Sequence, residues 1–179
     1  MTHPIKLLIC AATFGALTLS NLAFAAESTT LEMKNAKGES LGTVRLNTVN
    51  ADGTGGVRFT LNLHGLPPGE HALHVHQNAK CDPPGFTTAG PHFNPDHKQH
   101  GMKNPMGPHA GDMDNFVVSE DGIAQVEVID PNVDMGSDSH SVFSNSGTAL
   151  VIHAKSDDLK TDPSGNSGDR IACGVIAKQ

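Results

Sequence analysis

The chain has 179 residues, the length of one domain plus a targeting segment, and carries a formal net charge of −7. An acidic chain of this kind has no electrostatic reason to bind nucleic acid or an anionic membrane surface. With no Trp, no Tyr and 7 Phe, its core must rest on Val, Leu, Ile and Ala, and its 19 Gly and 11 Pro, which follow no repeat, imply many turns rather than low complexity.

The first 25 residues read as a signal peptide. Lys6 supplies the positive start, Leu7 to Leu19 form an apolar stretch too short to span a bilayer comfortably, and Ala23-Phe24-Ala25 is a small-x-small cleavage site. A retained anchor is the rival reading. A lipidated Cys10 is disfavoured because Ile9 stands where a small residue is wanted. Cleavage after Ala25 leaves residues 26–179 as one exported domain, in the periplasm or secreted, with no other stretch near the ~20 apolar residues of a membrane span. It removes Lys6, taking the net charge from −7 to −8, and it removes Cys10. The remaining pair, Cys81 and Cys173, reads as one disulfide in an oxidising compartment, with two free thiols as the alternative. Closing so long a loop stabilises by roughly 4–5 kcal/mol on the chain-entropy account.

Beyond the leader, short alternating runs lie between turn signals. Leu31 and Met33 precede a turn at Ala36-Lys37-Gly38, and Val44, Leu46 and Thr48 precede Ala51-Asp52-Gly53. Val57, Phe59, Leu61 and Leu63 alternate strictly up to Pro67-Pro68-Gly69, and Leu73 and Val75 continue the pattern on the next strand. Phe116 and Val118 lead into a hairpin turn at Asp121-Gly122, followed by Ala124, Val126 and Val128. Late strands run from Leu150 to His153 and from Ile171 to Ile176. The sum is about eight strands and no convincing amphipathic helix, hence an all-β antiparallel sandwich or flattened barrel. Residues 77–113, rich in Pro, Gly, His and Asp, and residues 155–169, rich in Asp, Ser, Gly and Lys, break the rhythm as two long functional loops.

The chain has 11 histidines, most of them between His64 and His109. His74 and His76 flank Val75 in an alternating strand, so both imidazoles point outward from one sheet face while Leu73 and Val75 point to the core. Two adjacent imidazoles are half of a copper or zinc site, although an exposed polar strand face would look the same. The first long loop adds His92, His100, His109 and Asp112, three imidazoles and a carboxylate that suit a tetrahedral zinc site; a flexible chelating tract is the alternative. His153 ends the strand Leu150-Val151-Ile152.

These stretches resemble the copper-zinc superoxide dismutases, in the bacterial exported arrangement. The likeness rests on 69–76 (GEHALHVH), 89–95 (AGPHFNP), 98–101 (KQHG), 109–112 (HAGD), 151–155 (VIHAK) and 168–176 (GDRIACGVI), which occur in order with compatible spacings. The resemblance implies an eight-stranded Greek-key barrel with one copper and one zinc per subunit. It implies that His74, His76 and His153 bind copper alone, that His92 bridges copper and zinc, and that His100, His109 and Asp112 complete the zinc site. Asp157 becomes an outer carboxylate joining His74 to His100, His71 a brace for the backbone beside copper, Arg170 the guide over the copper channel, and Cys81–Cys173 the family disulfide. The implied reaction is 2 O₂⁻ + 2 H⁺ → O₂ + H₂O₂, with superoxide as substrate and with His92 as proton carrier to the second superoxide. Lys155 and Lys160 are candidates for steering, and His64, His97 and His140 read as surface residues. Monomer and homodimer are both compatible. Two rival readings on the same fold are a copper- or zinc-carrying chaperone or storage protein, and a zinc-only relative without redox activity. The first lacks support because no cysteine remains beyond the pair, and the second because all of His74, His76 and His153 are present.

Overall fold

A computed structural model describes residues 28–50 and 55–178. The expected signal peptide and the expected turn at Ala51-Asp52-Gly53 lie outside the described residues. Each expected alternating run forms strand: β1 (Ser28–Asn35), β2 (Ser40–Thr48), β3 (Val57–Leu63), β4 (Gly69–His71), β5 (Leu73–His76), β6 (Phe116–Val118), β7 (Ala124–Asp130), β8 (Thr148–His153) and β9 (Arg170–Ile176). Seven of them make one curled antiparallel sheet in the order β5-β8-β9-β1-β2-β3-β7, and β4 pairs with β6. Helical structure among the described residues is limited to 3₁₀ turns at Thr87–Ala89 and Ser144–Ser146, and no helix there is long and apolar enough to cross a membrane.

Period-two patterning explains the packing. Register sets Val44 opposite Leu61 and Leu61 opposite Val126, and Leu46 opposite Phe59 and Phe59 opposite Val128. One face of the sheet therefore carries an unbroken apolar layer, completed by Leu31, Met33, Leu73, Val75, Leu150 and Ile152, all buried in one cluster. A one-residue slip in any of these strands would turn its apolar set to solvent, so the alternation fixes the register.

The sequence predicts about eight strands and nine form, because the run from Gly69 to His76 changes partners at Ala72. Its first part pairs with β6 and its second with β8. Ala72 is the corner: its N–H donates to the Lys155 carbonyl (2.9 Å) and its carbonyl accepts from His153 N–H (3.0 Å). These contacts lie at the end of β8 and the start of the second long loop, so this corner fixes where the end of β8 sits relative to β5. A third long connection, residues 131–147 between β7 and β8, accompanies the two expected ones.

Candidate metal centre

β5 is an edge strand of the large sheet, and the first long loop fills that edge. Val75 N–H donates to the Gly111 carbonyl (2.9 Å), and the Val75 carbonyl accepts from Phe93 N–H (2.8 Å). Isolated bridges pair His76 with His92 and His74 with Asp112. Covering an otherwise open edge thus also delivers two loop side chains to the strand's histidines. The outward face expected for His74 and His76 is not solvent-exposed. Both residues are fully buried, because the loops fold over that face. Gly111 allows the close approach: a Cβ there would lie 2.3 Å from the Val75 carbonyl oxygen.

The hydrogen-bond partners fix which ring nitrogens are free. A backbone carbonyl can only accept, so His76 Nδ1 donates to Gly90 O (2.8 Å) and its Nε2 presents a bare lone pair. His153 Nδ1 has Gly168 O at 3.2 Å, which again leaves Nε2 bare. These two Nε2 atoms stand 3.4 Å apart, two lone pairs aimed at a common point. His74 turns Nε2 to Asp157 (2.8 Å), and His92 turns Nδ1 to Asp112 (2.8 Å). The other nitrogens, His74 Nδ1 and His92 Nε2, are buried without a hydrogen-bond partner. The four residues His74, His76, His92 and His153 offer one ligand atom each, all within 4.8 Å of one another. Buried, converging and unpaired lone pairs are costly unless a cation takes them, so this set fits a metal that prefers imidazole.

A second set centres on Asp112. Its Oδ1 lies 2.8 Å from His92 Nδ1, 3.0 Å from His100 Nδ1 and 3.2 Å from His109 Nδ1. Its Oδ2 is held by N–H donors of Gly101 and His109, each at 2.9 Å. A tetrahedron with metal–ligand bonds near 2.0 Å has edges of about 3.3 Å, so one oxygen and three nitrogens at these separations fit tetrahedral zinc. His74 also falls within 4.8 Å of His92, His100 and Asp112. It belongs to the first set, because its Nε2 is taken by Asp157 and its Nδ1 is the unpartnered atom, whereas His109 Nδ1 approaches the same Asp112 oxygen as the other two rings. His92 is common to both sets.

Asp157 connects them. Its Oδ2 accepts from His74 Nε2 at 2.8 Å, and its Oδ1 lies 3.0 Å from His100 Nε2. Asn115 clamps the Asp157 backbone on both sides, donating to its carbonyl (2.9 Å) and accepting from its N–H (2.8 Å). Burial lowers the pKa of His74 and holds His76 well below the ordinary imidazole value. Burial, then the neighbouring His74, pushes His92 and His153 down to about 3. These rings are neutral near pH 7, the form that can ligate. His100 differs: burial opposes its charge, but hydrogen bonds to Asp112 and Asp157 outweigh burial and raise it to about 9. For Asp112 and Asp157 burial works upward, and the surrounding histidines more than reverse it, holding both carboxyls below the ordinary range.

Three members of the two sets, His92, His109 and His153, line an open cleft of 820 Å³ together with Lys98, Asn145 and Arg170, among others. Arg170, at the start of β9, donates from Nη1 to Phe86 O (2.8 Å) and from Nη2 to Gly90 O (2.7 Å). Cys81 and Cys173 form the expected disulfide, with their Cα atoms 5.6 Å apart, and pin the segment bearing Phe86 and Gly90 to β9. His71, expected to brace the backbone, has His153 O at Nδ1 and Pro67 O at Nε2, each at 2.8 Å. Lys155 and Lys160 are not among the residues lining the cleft; Lys98 is, paired with Asp96 at 3.3 Å. His140, read as a surface residue, joins the same carboxylate at 3.2 Å. Asn115, Asn145, Gly165 and Ser167 were not legible as site residues, because single small or amide side chains in loops carry no spacing signal.

Comparison with known proteins agrees with this geometry. The sequence profile of the copper/zinc superoxide dismutase family matches residues 40–176. Superoxide dismutase [Cu-Zn] 2 of Aquifex aeolicus is 48% identical over 147 residues, covering 81% of this chain and 84% of that one. Superoxide dismutase [Cu-Zn] of Caulobacter vibrioides is 36% identical over 152 residues, with 83% and 85% covered. Among solved structures, a superoxide dismutase-like protein from Bacillus subtilis superposes with a TM-score of 0.78 at 34% identity, covering 82% of this chain and 97% of that one. The Cu/Zn superoxide dismutase from Brucella abortus gives 0.70 at 29% identity, covering 84% and 99%.

Proposed function

Because the chain belongs to the copper/zinc superoxide dismutase family and is a superoxide dismutase with copper and zinc as cofactors, we propose how its residues divide the work. His74, His76, His92 and His153 hold copper. His92, His100, His109 and Asp112 hold zinc, with the His92 ring shared between the two ions. The observation that carries this reading is the convergence of four buried ring nitrogens whose opposite nitrogens are turned to Gly90, Gly168, Asp157 and Asp112. Copper, when bound, supplies the one-electron redox change, and zinc, which has none, supplies charge and order.

The chain's own groups do the rest. Arg170 presents a planar cation beside the copper histidines, with two of its donors already fixed on backbone carbonyls, and draws superoxide into the cleft of an acidic protein. His92 Nε2, buried and without a hydrogen-bond partner, has one lone pair: it would hold copper in one half of the cycle and, when not ligating, would take a proton and give it to the second superoxide. Two superoxide anions and two protons then yield dioxygen and hydrogen peroxide. Asp157 keeps His74 and His100 in the tautomers this arrangement needs.

The protein works outside the cytoplasm, in the periplasm or after secretion, with residues 1–25 removed as a signal peptide and residues 26–179 as the working domain. Lys6, the apolar stretch that follows it and Ala23-Phe24-Ala25 support the leader, and a disulfide-bonded fold suits an oxidising compartment. Metal analysis of the processed protein together with a superoxide-dismutation assay tests the whole reading. One copper and one zinc per chain with copper-dependent activity is the expected result, and zinc alone with no activity would favour the redox-inactive alternative. N-terminal sequencing of the exported protein should begin at Ala26.

A further inference from the structure

We propose that Ser167 is a positioning residue for the copper site, acting through His153; the inference rests on the assignment of His153 to copper. Ser167 sits in the second long loop and is fully buried. Its Oγ lies 3.1 Å from His153 Nδ1 and 2.8 Å from the Ser164 carbonyl. A hydroxyl has one proton, and the Ser164 carbonyl, which can only accept, takes it. The face of Oγ toward His153 therefore accepts, and the His153 Nδ1–H is shared between Ser167 Oγ and Gly168 O at 3.2 Å. Were the Ser164 carbonyl absent, the hydroxyl could turn and donate to Nδ1. That would move the ring proton to Nε2 and remove the lone pair that faces His76.

The relay Ser164 O, Ser167 Oγ, His153 Nδ1 thus does two things. It reinforces the Gly168 carbonyl in keeping the ring proton on the nitrogen away from the metal, and it gives that N–H a second acceptor. More acceptor character at the outer nitrogen raises the basicity of the inner one. A more basic His153 Nε2 favours Cu(II) over Cu(I). The backbone supports the same geometry, since Lys155 N–H donates to Ser167 O (2.9 Å) two residues beyond His153.

The test uses the copper- and zinc-loaded protein and Ser167→Ala, with Ser167→Thr as the variant that keeps the hydroxyl. Ser167→Ala is expected to bind Cu(II) about tenfold more weakly in competition with a chelator. It should also shift the Cu(II) electron paramagnetic resonance and visible spectra and raise the copper midpoint potential, with zinc content unchanged; Ser167→Thr should move these readouts back toward the wild type. An unaltered spectrum and potential in Ser167→Ala would overturn the proposal, even if stability fell, because a packing role alone predicts that pattern. Nuclear magnetic resonance of the wild-type Cu(I) form gives an answer that no variant's folding can obscure. The Nδ1–H of His153 should show a contact with the Ser167 side chain, and its absence would also overturn the inference. His153→Ala separates the two levels: normal copper binding in that variant sinks the copper assignment and this inference together, whereas lost copper binding with an unchanged Ser167→Ala sinks this inference alone.

Discussion

His76 and Arg170 hydrogen-bond the same atom, the carbonyl oxygen of Gly90, at 2.8 Å from Nδ1 and 2.7 Å from Nη2. The proposed guide for the anion and a proposed copper ligand are thereby held by one backbone group, in a segment tied to β9 by Cys81–Cys173. Arg170 needs no rearrangement to face the copper side of the cleft.

Arg170→Ala should therefore keep both metals and lose rate, because Arg170 is no ligand. The expected loss is about 1–2 kcal/mol of transition-state stabilisation, roughly tenfold in the second-order rate. Raising the salt concentration should slow the wild type and slow this variant much less, since screening weakens an attraction that acts before contact. Arg170→Lys should recover only part of the rate, because an ammonium cannot reproduce the guanidinium fork across Phe86 O and Gly90 O. Stopped-flow superoxide decay across a salt series measures all three. Equal rates and equal salt slopes for wild type and Arg170→Ala would shift attention to Lys98, which lines the same cleft.

Gly165 should tolerate no side chain. Its φ is +61°, and a Cβ would fall 1.7 Å from Asp157 Oδ1 and 2.8 Å from His100 Nε2. Gly165→Ala must displace the carboxylate that joins the two metal sets, with weakened zinc binding and a lower melting temperature as the outcome. Gly38→Ala is the comparison: its φ is +81° but nothing lies within 4 Å of the added atom, so only the left-handed backbone penalty of about 1–2 kcal/mol remains. Comparable metal content and melting for the two variants would show that the Asp157 bridge is dispensable.

The charge on His100 gives the metal-free protein a distinctive pH response. Its folded pKa, about 9, lies above the ordinary 6.5, raised by Asp112 and Asp157 against the opposing effect of burial. A raised pKa contributes stability that is complete below about pH 6.5 and is lost as pH rises through about 9. If zinc binds at His100 Nδ1, as proposed, it expels the proton there, and the zinc-loaded protein lacks this contribution. Denaturant unfolding between pH 6 and 10 should show the chelated protein losing stability over that window and the zinc-loaded protein losing less. Parallel curves for the two forms would contradict this account of His100.

Asp112→Ala should abolish tight zinc binding and loosen residues 77–113, since three rings and two backbone N–H groups converge on that one carboxylate. Hydrogen exchange across the loop and zinc stoichiometry read the result. Full zinc occupancy with unchanged exchange would place zinc elsewhere.

Much of this was legible in the sequence, for stated reasons. Strict alternation at Val57, Phe59, Leu61 and Leu63 predicts a strand, and β3 forms there with all four side chains buried. Spacing of two places His74 and His76 on one strand face, but their burial depends on loops that carry no periodic signal. The partner change at Ala72 leaves no mark in the sequence, because Leu73 and Val75 continue the alternation without a break. Lysine position was equally unreadable: Lys155 and Lys160 are near the site in sequence, while Lys98, ahead of His100, is the one that lines the cleft. Gly165 and Ser167 lie in a stretch of small polar residues that resembles a linker, and only the folded loop shows what each one touches.

The proposed chemistry turns on two adjacent ions sharing His92. Crystals of the copper- and zinc-loaded protein, measured for anomalous scattering on both sides of the copper and zinc absorption edges, test it most directly. The predicted result is a copper peak bonded to His74 Nδ1 and to the Nε2 atoms of His76, His92 and His153, with a zinc peak bonded to Asp112 and to the Nδ1 atoms of His92, His100 and His109. A copper peak away from His153, or a zinc peak that does not include Asp112, would contradict the account.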